Sequence, residues 1–234
     1  LMANGWITHL ATNGASVIHD WEWAHHGRST ECVRSNVATG TFGAWEETGR
    51  YLHLALLAGA VNGEGFGQSV GRMVAEDGVT LPKKAELETQ LREAPAHPLS
   101  PARAELLHAM RQHDLAEGRH EISHEWKNSS VLGNAFKHGV PLTVHPGIGY
   151  DIISNHPMFN GAALGRAANV MNPSPKVTDG AHQKKDLEPE TMTRIQETWT
   201  RDVTPTTGLR DYKALIEVLR SEGLPDRSPS DVSA

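Results

Sequence analysis

Apolar and polar positions alternate, cluster and repeat along this chain in a way that predicts its elements. Trp6-Ile7-Thr8-His9-Leu10-Ala11-Thr12 is rich in β-forming residues and stops at Asn13-Gly14-Ala15, which predicts a strand feeding a glycine turn. Helix is expected from Ser16 to about His26. After the loop Gly40-Thr41-Phe42-Gly43, Tyr51, Leu52, Ala55, Leu56 and Ala60 fall near helical spacing within a helix over 44–62. A further helix covers 67–76. Residues 77–100 read as a connector with a charged surface helix over 83–93. Ser100-Pro101 reads as N-cap and first turn of a helix whose stripe is Leu106, Leu107 and Met110. Ser129 caps a helix through Lys137, closed by His138-Gly139. Val140–His145 is the second strand, ending at Pro146-Gly147-Ile148-Gly149, and 161–168 is a small helix. Helices over 189–200 and 209–222 are expected in the tail, between Pro-Ser-Pro and Ser-Pro-Ser linkers. There is no internal repeat.

Strand, turn, helices, strand, turn, helix is the α/β order. It predicts a Rossmann-like parallel sheet with helices on both faces and sites at the C-terminal strand ends. Two parallel strands do not make a stable sheet. The sheet is therefore expected to be completed by unrecognised segments, by another chain or by sequence preceding Leu1. Histidine and glycine mark a boundary: 13 of 14 histidines and 19 of 22 glycines precede Met171, while six of 13 prolines follow it. The expected division is 1–170, a partial domain, and 171–234, a partly helical or disordered tail.

Composition narrows the function classes. Lys plus Arg is 22 and Asp plus Glu is 28, so nucleic acid is not the expected partner. No apolar run approaches the ~20 residues of a membrane helix, and no signal peptide opens the chain. Cys32 is the single cysteine, which fits a reducing, cytoplasmic setting, and with no flanking histidine it reads as inert.

Five constellations could carry chemistry. Thr12-Asn13-Gly14-Ala15 before a helix presents N–H groups to an anion such as a pyrophosphate, or is an ordinary β–α turn. His145-Pro146-Gly147-Ile148-Gly149-Tyr150-Asp151 would lie on the same sheet edge. There Asp151 and His156 serve as hydrogen-bond or acid–base groups, unless Asp151 caps the next helix. His19, Glu22 and His26 share a helical face suited to a metal; the alternative is a polar face with Trp21 and Trp23 in the core. His120-Glu121-Ile122-Ser123-His124 matches H-E-x-x-H, the helical zinc-hydrolase pattern, with charged flanks unlike a buried helix. Trp45 could stack on a flat ring while Glu46 or Glu47 binds an amine; the alternative is an acidic first helical turn.

Thr8-His9-Leu10-Ala11-Thr12-Asn13-Gly14-Ala15, closed by His19-Asp20, resembles the strand–turn of deoxyhypusine synthase and its bacterial relatives. So does Ser130-Val131-Leu132-Gly133-Asn134-Ala135-Phe136-Lys137-His138-Gly139-Val140-Pro141 with the Gly147-Ile148-Gly149 loop and Asp151. The segments from Thr41 to Gly49, Tyr150-Asp151-Ile152 and His156-Pro157 resemble the bacterial deoxyhypusine-synthase-like proteins, and the resemblance covers about 5–170. It implies an NAD-binding oligomer with shared sites. Thr12, Asn13, Gly14, Ala15, Gly147 and Gly149 would face the dinucleotide. Taken with the constellations above, the expected catalytic residues are His145, Asp151 and His156, and His19, Asp20, Trp45, Glu46 and Glu47 are expected to face a small, amine-like substrate. The family's paired acids are Ile18-His19 here, its second-loop aspartate is His145, and its tryptophan–glycine–lysine segment is missing. The expected function is thus an NAD-binding, transferase-like homo-oligomer. The alternatives are a zinc hydrolase through His120 and His124, or a non-catalytic fragment or assembly component.

Overall fold

The run of leucine and alanine between Leu52 and Ala60 is apolar on every side of a helix, which calls for burial all round. In the computed structural model this run is the inner part of α3 (Glu46–Ala60), and every residue from Leu52 to Ala60 is buried. The structure describes residues 1–147 and 149–170, and a few positions beyond (193, 196, 197, 200, 201, 204–207 and 214). The chain divides into two compact units, Leu1–Asp179 and Gly180–Ala234.

In the first unit the element order is β1 (Leu10–Asn13), α1 (Gly14–His26), α2 (Val33–Thr39), α3, α4 (Phe66–Ala75), β2 (Gly78–Leu81), α5 (Lys84–Glu93), α6 (Ser100–Gln112), β3 (Gly118–Glu121), α7 (Val131–Lys137), β4 (Leu142–His145) and α8 (Gly161–Asn169). Around α3 pack α1, α4, α6, α8 and β2. Helix α4 meets α7 and β4 through two glycines one turn apart. A Cβ on Gly67 would lie 2.1 Å from the Leu142 carbonyl oxygen, and one on Gly71 would lie 2.5 Å from that of Leu132.

The fold is mixed α/β and dominated by helix. β1 and β4 pair in parallel, Leu10 opposite Leu142 through Asn13 opposite His145. The expected extended sheet is not seen among the described residues. The other two strands pair antiparallel with each other, Gly78 opposite Glu121 through Leu81 opposite Gly118. β2 falls in the expected connector, and β3 takes the first half of the H-E-x-x-H run. That run is not helical: Gly118 has φ +89°, Ile122 is buried, and His120 and His124 lie on a strand and on the loop after it.

Several local expectations are corrected. Strand β1 starts at Leu10, not Trp6. α2 was not foreseen, and none of its residues is buried. Trp21 is fully buried but Trp23 is exposed, so the tryptophans are not a core pair. Ser130, not Ser129, caps α7 by accepting from the Gly133 N–H at 2.9 Å. Leu99 precedes α6, and the Ser100 hydroxyl donates to the Ala94 carbonyl instead. In the second unit Thr204–Thr207 form a helical turn. Apart from isolated positions, the helices expected over 189–200 and 209–222 lie outside the described residues. Among the described residues no helix is long and apolar enough to cross a membrane.

Two buried histidines tie elements together as neutral rings. His124 Nε2 accepts from the Trp21 indole N–H at 3.1 Å, and His53 Nε2 donates to the Ile153 carbonyl at 2.8 Å. Burial pushes both from 6.5 down to about 4. The unfolded chain therefore takes up protons below about pH 6.5 that the folded chain refuses until about pH 4. Stability should fall across that window by about 3 kcal/mol per histidine. Thermal melting at stepped pH should show the fall, and the H53Q/H124Q double variant should show a flatter profile between pH 6.5 and 4.

A candidate cation pocket beside helix α1

Helix α1 begins where Asn13 accepts from the Ser16 N–H at 3.0 Å, and it turns Ile18, His19 and Glu22 toward one side. Facing them are the loop from Ser29 to Glu31, the segment from Phe42 to Trp45, the first turns of α3 and the stretch from Ile152 to Pro157. Together they enclose a cavity of about 380 Å³. Two glycines let its walls close. A Cβ on Gly43 (φ +72°) would lie 1.8 Å from Ile152, and one on Gly49 would lie 2.6 Å from the His156 ring.

Glu22 is 1% exposed, yet its partners carry no fixed charge. It accepts from the Ser29 hydroxyl (3.2 Å), the Thr30 N–H (3.3 Å), the Thr30 hydroxyl and the Thr48 hydroxyl (3.3 Å). His19 Nδ1 stands 3.5 Å away. Glu31 accepts from the Asn36 amide, the Gly43 N–H (3.0 Å) and the Trp45 indole N–H (2.9 Å). Burial acts to raise its carboxyl, but these donors outweigh burial and hold it below the usual range. Glu46 differs: it faces Arg50 at 3.7 Å and accepts from His156 Nε2 at 3.1 Å. The described lining therefore holds three carboxylates and no lysine or arginine. Such a wall attracts cations and repels phosphates.

The cavity gathers Ala15, His19, Trp45, Glu46 and His156 from the expected site residues. His156 has partners on both sides of its ring. Its Nδ1 accepts from the Met158 N–H at 3.1 Å while its Nε2 faces Glu46, so both ring nitrogens are engaged. Thr12, Asn13, Gly14, His145, Gly147 and Asp151 gather instead at the ends of β1 and β4, with Gly149 just beyond. Ile148 lies outside the described residues. The Asp151 carboxylate accepts from the Gly147 N–H at 3.1 Å, and a Cβ on Gly14 would lie 2.2 Å from it. A carboxylate of the chain thus occupies the place beside the start of α1 where an anion was expected. His145 is exposed, with its Nε2 3.1 Å from the Thr143 hydroxyl.

The remaining candidates serve other ends. Asp20 accepts from the Ser130 hydroxyl (2.6 Å) and from the Val131 and Leu132 N–H groups (2.7 and 3.0 Å), so it holds the start of α7 rather than a substrate. Glu47 lines a neighbouring cavity of about 430 Å³ with Glu46, His120 and Glu121. His26 turns to Trp21 and His25, away from the expected metal face; burial, then His25, holds its ring below the usual range. Among the described residues no group of three or more His, Cys, Asp or Glu side chains is placed to hold a metal. Glu31, Phe42 and Ile152 were missed as lining residues. Glu31 lies between Thr30 and Cys32 in no motif, and only the folded chain brings it to Trp45. Comparison with protein-family models, with curated proteins and with solved structures finds no match.

Glu22 ties α1, α3 and the 29–30 loop together. Glu22→Gln should cost no more than about 1 kcal/mol, because the Thr30 and Thr48 hydroxyls can turn to accept from the new amide. Glu22→Leu should cost about 1–3 kcal/mol more, because it removes the acceptor shared by the part-buried Thr30 N–H and the Ser29, Thr30 and Thr48 hydroxyls. Urea unfolding of the three proteins checks this order.

Proposed function

We propose that the chain binds a small organic cation, an amine in the broad sense, in the cavity beside α1. One observation carries this reading: Glu22 and Glu31 are held in the wall by neutral donors alone, next to the rings of Phe42 and Trp45. A negative field with aromatic surface beside it favours a cation with an apolar body. The sequence reading of Trp45 as a stacking ring and of Glu46 or Glu47 as an amine partner points the same way. The proposal is one of binding. The chain has no tryptophan–glycine–lysine segment to carry a covalent transfer.

Calorimetric titration at pH 8 tests it. Butylammonium or butyltrimethylammonium should bind and butyrate should not, with binding weakened by salt. Glu22→Gln should weaken the cation at least tenfold while leaving the melting temperature nearly unchanged. Equal binding of butyrate would refute the reading.

A second reading, NAD at the ends of β1 and β4, is favoured by the parallel register that brings both glycine turns to one end. The Asp151 carboxylate beside Gly14 would oppose a pyrophosphate there. On this reading Asp151→Asn should tighten NAD, as measured by calorimetry, and an unchanged or weaker affinity counts against it.

A further inference from the structure

Two of the three carboxylates in the cavity wall, Glu22 and Glu31, have little hydrogen-bonding capacity left, while Glu46 is exposed and accepts from His156 alone. An ionised carboxylate offers about four lone-pair directions. Glu22 already meets four donors, two on each oxygen, and Glu31 meets three. The Trp45 N–H is spent on Glu31, so the indole contributes its ring and no donor. A guest beside Glu22 and Glu31 therefore meets negative charge, aromatic rings and aliphatic surface, and the carboxylate with acceptor capacity left, Glu46, is exposed to solvent.

That environment treats two kinds of ammonium differently. A primary ammonium brings three N–H donors and a tightly held hydration shell. Shedding that water without new acceptors is costly. A quaternary ammonium has the same charge and no N–H, and it packs well against aromatic faces. A cavity of about 380 Å³ is within the range used for small-molecule binding.

We propose that the cavity selects quaternary ammonium compounds over primary amines. This rests on the cation-binding reading above. Charge supplies the attraction, and the saturation of Glu22 and Glu31 by the chain's own donors supplies the discrimination.

A matched set of probes tests it on the full chain by calorimetry at pH 8: butyltrimethylammonium, butylammonium and 3,3-dimethylbutanol, which carries a similar bulky head without charge. The expected result is that the quaternary probe binds at least tenfold tighter than the primary one, and the alcohol binds more weakly than the quaternary probe. Phe42 is 44% exposed, so Phe42→Leu should fold normally and narrow the preference. Butylammonium binding as tightly as the quaternary probe would overturn the selectivity and leave the cation reading standing. An alcohol as tight as the quaternary probe, or no binding of either cation to protein shown folded by circular dichroism, would overturn both.

Discussion

The first unit depends on the burial of α3 from Leu52 to Ala60, with no exposed face along that stretch. A helix of this kind is stable only when neighbours surround it. α1, α4, α6, α8 and β2 provide that cover. The amino end of α3 is different. Glu46 is exposed there, Thr48 is buried, and the apolar run has not yet begun. The cavity forms at this transition, where the packing that covers the helix gives way to loops from Ser29 to Trp45 and from Ile152 to Pro157.

Close backbone approach sets the geometry around that axis. Gly67 and Gly71 bring α4 against β4 and α7, and Gly43 and Gly49 do the same for the cavity wall against Ile152 and His156. A methyl group at any of the four would displace a neighbour. The glycines in this part of the chain thus serve packing at least as much as ligand approach, which is the role glycine-rich sequence first suggests.

The parts legible in the sequence were those that local pattern determines. Helix α3 was readable because its apolar run is long, and β1 and β4 were readable because each ends in a glycine turn. β2 and β3 were not, since four residues are too few for alternation to stand out and Arg119, His120 and Glu121 look like surface helix. The site was half legible. Trp45, Glu46, His19 and His156 were singled out and meet in one cavity. Asp20 and Asp151 were singled out as well, but their partners are backbone N–H groups of α7 and of the turn after β4. An acid beside a glycine turn has the same sequence signature whether it awaits a ligand or satisfies the chain's own donors. Glu31 shows the converse, because its partners Gly43 and Trp45 are brought to it only by folding.

Asp151 and Glu22 mark an electrostatic division between the two glycine turns and the cavity. At the strand ends the chain places the Asp151 carboxylate against the Gly147 N–H and the start of α1, so the local positive potential is already met from within. At Glu22 and Glu31 the donors are hydroxyls, amides and an indole, none of which carries a full charge. Hydrogen bonds from such groups satisfy the carboxylate oxygens but leave the net charge in place. A buried charge normally calls for a partner. Beside Glu22 stands the His19 ring, half in solvent, with Nδ1 at 3.5 Å. Such a wall has neutral donors on two carboxylates and no lysine or arginine in its described lining, and the cation proposed for the cavity would supply the charge that those donors do not.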